Sequence, residues 1–93
     1  MRTPEEEMGD ADRDLQSAIN SARIVARGAQ RDFGDFASMH EAYGVLAEEV
    51  AEFLDAVRLR QSNPDRSRKC ELEGIDIAAV ALRIAAQAKR VTR

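Results

Sequence analysis

An all-α fold, an antiparallel bundle of three main helices, follows from three observations. Apolar residues recur at steps of three and four in three separate segments, residues suited to helix caps stand at the segment boundaries, and no run alternates β-branched or aromatic residues with polar ones as a strand does. With 93 residues, 33% of them charged and 44% hydrophobic, the chain has the balance of one folded domain, 1–93.

The first segment is expected to start near Asp10, with residues 1–9 as a frayed tail. It carries Leu15, Ala18, Ile19, Ala22 and Val25 at helical spacing, and Gly28 offers a stop. The second opens on Ser38-Met39-His40-Glu41, a Ser-x-x-Glu capping box in which hydroxyl and carboxylate each satisfy an orphan backbone donor. It should run to about Gln61. The third is announced by Asn63-Pro64, an N-cap acceptor followed by a proline that loses no needed donor in the first turn, and it continues close to the C-terminus. The connections are short enough for consecutive helices to pack antiparallel.

At ~100° per residue, the second segment shows two stripes. Tyr43, Leu46, Val50, Phe53, Leu54 and Val57 read as plain core. Val45, Glu49, Glu52, Ala56 and Leu59 form a seam with two carboxylates in its middle, and a charge on a packing face demands compensation. The middle of the third segment, residues 74–86, is small or apolar almost all round, apart from one polar sector holding Glu73, Asp76, Arg83 and Gln87. Two short helices cannot cover the other sides of such a helix. A homo-oligomer is therefore expected, either a dimer completing a four-helix-type core or a dimer of dimers.

The pairs Glu49/Glu52 and Glu73/Asp76 are each three residues apart, so each lies on one helix face. On antiparallel neighbours the four carboxylates converge, and a divalent cation relieves their repulsion. Hard oxygen donors select Mg²⁺, with Mn²⁺ as the alternative ion, and such a site leaves positions for water and phosphate oxygens. A di-iron centre is discounted: it needs Glu-x-x-His on two helices, and the single His40 has no Glu three residues before it.

The string Glu48-Glu49-Val50-Ala51-Glu52, followed after 20 residues by Glu73-Gly74-Ile75-Asp76, resembles the Glu-Glu-x-x-Glu…Glu-x-x-Asp signature of MazG-like all-α pyrophosphohydrolases, particularly small stand-alone members. Residues 40–46, leading into the first motif, and residues 77–83, trailing the second, also look like this family, and the resemblance covers roughly Phe36 to Gln87. It implies Mg²⁺-dependent hydrolysis of (deoxy)nucleoside triphosphates to the monophosphate and pyrophosphate. It also implies Glu49, Glu52, Glu73 and Asp76 as metal ligands, and Glu48 as an outer or water-positioning group. The alternatives are a catalytically weak metal- and nucleotide-binding regulatory module and a structural helical oligomer whose acids form intersubunit salt bridges with residues such as Arg83.

Arg83, on the face of Asp76, is the first candidate for a phosphate contact, with Lys89 as another. Phe36 and Phe33, near the first connection, are candidates for base stacking, and His40 reads as a local cap or packing residue. A net charge of −3 without a basic-aromatic cluster argues against a nucleic-acid partner. A lone Cys70, no apolar leader and no membrane-length apolar run point to a cytoplasmic protein away from the membrane.

Overall fold

Thr3 opens the first helix. Its hydroxyl accepts from the Glu6 N–H, Pro4 occupies the first turn, and Glu5, Glu6 and Glu7 complement the helix dipole, so α1 spans Pro4–Phe33 in the computed structural model, which describes residues 1–92. Helical structure therefore covers much of the stretch expected to fray before Asp10. Gly28 does not stop the helix either. The stop is Gly34, at φ 72°, the left-handed conformation glycine adopts without strain, and its N–H bonds the Gln30 carbonyl.

Helix α2 spans Met39–Val57. Ser38 caps it as expected, accepting from the Glu41 N–H at 3.0 Å. The reciprocal half of the capping box is not made, since the Glu41 carboxylate has no hydrogen bond or ion pair among the described residues. A turn over residues 58–65 follows, in which Asn63 Oδ1 accepts from the Asp65 N–H, and α3 spans Arg66–Thr92. All three elements are helical and no strand occurs among the described residues. No helix there is long and apolar enough to cross a membrane.

The helices form an open layer with α3 in the middle. It packs against both α1 and α2, which do not pack against each other. The start of α2 lies beside the end of α3, because the Gln87 amide bonds both backbone groups of Phe36, making α2 and α3 antiparallel. Arg83 and Arg90 tie the end of α1 to the end of α3, so those two helices run parallel. The expectation that consecutive helices pack antiparallel thus holds for α2 and α3 and fails for α1 and α2, whose connection crosses the end of α3.

Small side chains permit the close approach: Ala22 and Ala26 of α1, Ala42 and Ala56 of α2, and Ala79 of α3 are all buried. Phe36 in the connection is the largest buried side chain, packed with Ala42 and Val80 and flanked by Val45, Leu46 and Ile84. The stripe of α2 that reads as core is largely uncovered, with Tyr43 at 73% and Val50 at 48% exposure. The carboxylate-bearing seam is the one turned to α3, with Ala56 buried and Val45, Glu49 and Leu59 half-buried. Sequence periodicity locates both stripes but cannot say which one a neighbour of the same chain covers.

The molecule measures 51 × 31 × 20 Å with a radius of gyration of 15.9 Å, against about 12 Å for a compact chain of this length. Its accessible surface is 7257 Å², whereas a compact monomer of its mass exposes about 5,400 Å².

Candidate metal centre

At mid-height of the α2/α3 seam, Glu49, Glu52 and Glu73 each offer a carboxylate oxygen to one cluster, all within 4.8 Å of one another. The cause is local. A three-residue step sets Glu49 and Glu52 side by side on α2, and the antiparallel register carries Glu73 against them from α3. Glu49 and Glu73 are half-buried and Glu52 is exposed, which gives the cluster a closed side and an open one.

The closed side is electrostatically uncompensated. Glu49 Oε2 and Glu73 Oε2 are buried and have no hydrogen-bond partner, although buried polar atoms are nearly always paired. No Lys or Arg forms an ion pair with any of the three carboxylates among the described residues. Burial, reinforced by the neighbouring charges of Glu52, Asp76 and Glu73, pushes the Glu49 carboxyl up to about 7. Glu73 is raised as well, by burial first and by the Glu52 charge next.

Asp76 stands one turn further along α3, outside the tight triad, yet near enough for its charge to raise both Glu49 and Glu73. It is half-buried and shares with Glu49 the wall of a cleft of about 450 Å³. This cleft is a trough: α3 forms its floor through Asp76, Ala79, Val80 and Arg83, and α1 and α2 form its walls. Three of the four expected ligands thus meet directly and the fourth borders them.

The other sequence candidates divide. Glu48 is exposed and belongs neither to the cluster nor to the cleft. Lys89 is likewise exposed and absent from the cleft wall. Arg83 lines the cleft, but its guanidinium is engaged: Nη2 donates to the Gly34 carbonyl at 2.9 Å, Nε donates to Gln30 at 3.4 Å, and the group lies 4.3 Å from the centroid of the Phe36 ring. It braces the α1–α2 connection and makes no salt bridge to the acids of its own chain among the described residues. Phe36 is only 6% exposed beneath it, whereas Phe33, at the cleft rim, is 79% exposed and presents the free aromatic surface.

The trough itself escapes sequence reasoning. It depends on the gap between α1 and α2, and only the half-buried polar sector of α3, Glu73, Asp76, Arg83 and Gln87, hints that one side of that helix faces a shared space. No family model matches the chain, and no curated protein or solved structure is significantly similar to it.

Chemically, a closed-sided set of carboxylates, acceptor-only once ionised, fits a hard divalent cation. The unpaired oxygens Glu49 Oε2 and Glu73 Oε2 are the donors such an ion requires, and no nitrogen or sulfur ligand joins them in the cluster.

Proposed function

We propose that this chain is a Mg²⁺-dependent nucleoside triphosphate pyrophosphohydrolase of MazG-like character, cleaving (deoxy)nucleoside triphosphates to the monophosphate and pyrophosphate. The observation that carries the reading is the uncompensated meeting of Glu49, Glu52 and Glu73 at the end of a nucleotide-sized trough. The resemblance of residues 48–52 and 73–76 to the MazG-like signature supplies the reaction.

Glu49, Glu52 and Glu73 hold the ion, with Mn²⁺ as a substitute for Mg²⁺, and Asp76 completes the set from the cleft side. Bound there, the ion supplies positive charge toward the phosphates and lowers the pKa of an attacking water. The protein's own part is positioning. Glu49 and Glu73 are fixed by the packed seam, the exposed side at Glu52 leaves room for phosphate oxygens, and the trough orients the rest of the substrate. Arg83 acts at one remove, holding the connection that closes the trough. Incubation with the common nucleoside triphosphates is expected to release pyrophosphate only when Mg²⁺ or Mn²⁺ is present. Orthophosphate as the sole product, or no turnover on any of them, rejects the assignment.

The working form is a homo-oligomer, a dimer in the simplest case, which completes a four-helix-type core. Two features support this: the excess of accessible surface over a compact monomer, and the exposed apolar stripe Tyr43, Val50, Phe53, Leu54 and Val57 of α2. Light scattering on the full chain is expected to give at least twice 10.3 kDa. A strictly monomeric mass at micromolar concentration contradicts this.

A further inference from the structure

The trough has more to it than its acidic end. Along α2, Glu41, Val45 and Glu49 follow at steps of four on the cleft wall, so the same helix line that enters the carboxylate cluster at Glu49 ends at another carboxylate two turns earlier. Eight residues at the helical rise separate them by about 12 Å, a span suited to a nucleoside monophosphate reaching from its phosphate to the far edge of its base. Between the two ends the surface is apolar: Val25 and Ala29 on α1, Val45 on α2, Ala79 and Val80 on α3, with the ring of Phe33 at the rim. A volume of about 450 Å³ lies within the range of about 300–1,000 Å³ typical of small-molecule sites.

The polar groups on this wall are few, and most are committed. Asp35 accepts from Gln30 and pairs with Arg90, which hold its carboxyl below its ordinary value, the Gln30 hydrogen bond contributing most. Arg83 is spent on Gly34, Gln30 and the Phe36 ring. Glu41 is different: it lines the cleft, and its carboxylate has no partner among the described residues.

We propose that the trough is a base slot and that Glu41 reads the base edge, selecting guanine nucleotides. This rests on the reading of the Glu49 end as the phosphate end. An ionised carboxylate offers two acceptors and no donor. Guanine is the common base whose pairing edge presents two adjacent donors, the ring N1–H and the 2-amino group, and so meets a carboxylate with two parallel hydrogen bonds. Adenine and cytosine place a ring acceptor beside their amino group, and uracil flanks its one N–H with carbonyls, so each sets a lone pair against Glu41. The planar base lies in the apolar slot, with Phe33 closing over one side.

Equilibrium binding tests this independently of turnover. GMP, IMP, AMP and UMP are titrated in Mg²⁺ into the full-length protein and into Glu41→Gln, alongside pyrophosphate release from GTP and UTP. GMP is expected to bind about tenfold more tightly than IMP, which lacks the 2-amino group, and more tightly still than UMP. In Glu41→Gln, whose cap hydrogen bond from the Glu41 backbone N–H to Ser38 is untouched, the preference for GMP over IMP should disappear. Equal affinities for the four nucleotides, no binding of any, or a guanine preference that survives in Glu41→Gln overturns the base-slot assignment. Guanine-selective binding without pyrophosphate release overturns the hydrolase reading and leaves the slot standing. Turnover of GTP and UTP at equal kcat/KM, with no selectivity in binding, does the reverse.

Discussion

Glu49→Gln is expected to lower kcat/KM for pyrophosphate release by about a thousandfold, and at the same time to raise the melting temperature of the metal-free protein at pH 8, above the Glu49 carboxyl's value of about 7. On the proposed reading, the first effect is the loss of one oxygen ligand from a centre whose charge would supply several kcal/mol to the transition state, each ~1.4 kcal/mol being tenfold in rate. The second follows from the same geometry without the ion. Glu49 Oε2 is buried without a partner beside the carboxylates of Glu52 and Glu73, so a neutral amide of equal shape removes repulsion and brings a donor to those oxygens. A residue kept for packing or for a structural salt bridge does not behave this way, because replacing it weakens the fold. Circular-dichroism melts in chelator, paired with steady-state assays, read both effects. A lower melting temperature in the variant, or retained activity, contradicts the account.

The second large effect is on pH and metal together. The Glu49 carboxyl is raised from 4.5 to about 7 in the folded protein, so the native state holds a proton that the unfolded chain has already released. The unfolded state therefore binds fewer protons between these values, and stability falls as pH rises. The stabilisation is fully present below about 4.5, declines through the interval to about 7, and changes little above it. The whole shift corresponds to ~3 kcal/mol, which solvent screening at a half-buried site reduces to about 1–2 kcal/mol. For a chain of this size, that lowers the melting temperature by about 5–10 °C between pH 5 and pH 8 in chelator. Saturating Mg²⁺ is expected to offset the loss at pH 8 and to do little at pH 5, where protons compete for the same oxygens. Thermal melts over that pH range, with and without Mg²⁺, give the four values. A melting temperature that rises with pH in chelator, or an equal Mg²⁺ effect at both ends, contradicts this.

Much of the architecture was legible in the residues, for identifiable reasons. The Ser38 cap sets the start of α2 to the residue, while its end falls at Val57 rather than near Gln61, because the chain turns over residues 58–65 before α3. The Glu49/Glu52 pair stood out because it broke an apolar seam, and that seam is indeed the one facing α3. The ends of α1 were obscured by starting it near Asp10 and by reading Gly28 as its stop. Gly9 and Gly28 sit inside the helix, while Thr3-Pro4 followed by three acids was a start signal, and Gly34 was the glycine at positive φ.

The candidate site was legible as a list of carboxylates rather than as a space. Spacing could pair Glu73 with Asp76, but only the register of α3 against α2 places Glu73 in the triad and Asp76 toward the trough. Glu41 was absorbed into a capping box that forms by half, which leaves its carboxylate free. Arg83 looked like a phosphate contact because its partners, Gly34 and Gln30, are distant in sequence. Phe36 and Phe33 looked alike, and packing under Arg83 buries one and leaves the other open. In each case the deciding neighbour lies on another helix.

Direct titration of Mn²⁺, followed by the loss of the free-ion paramagnetic resonance signal, tests the carboxylate centre without reference to substrate or turnover. The account predicts saturable binding at about pH 7.5 that Mg²⁺ competes away and that is lost in Glu73→Gln, whose side chain comes from the opposite helix to Glu49 and Glu52. A protein that takes up no Mn²⁺, or takes it up equally well in Glu73→Gln, contradicts a metal centre at the α2/α3 seam.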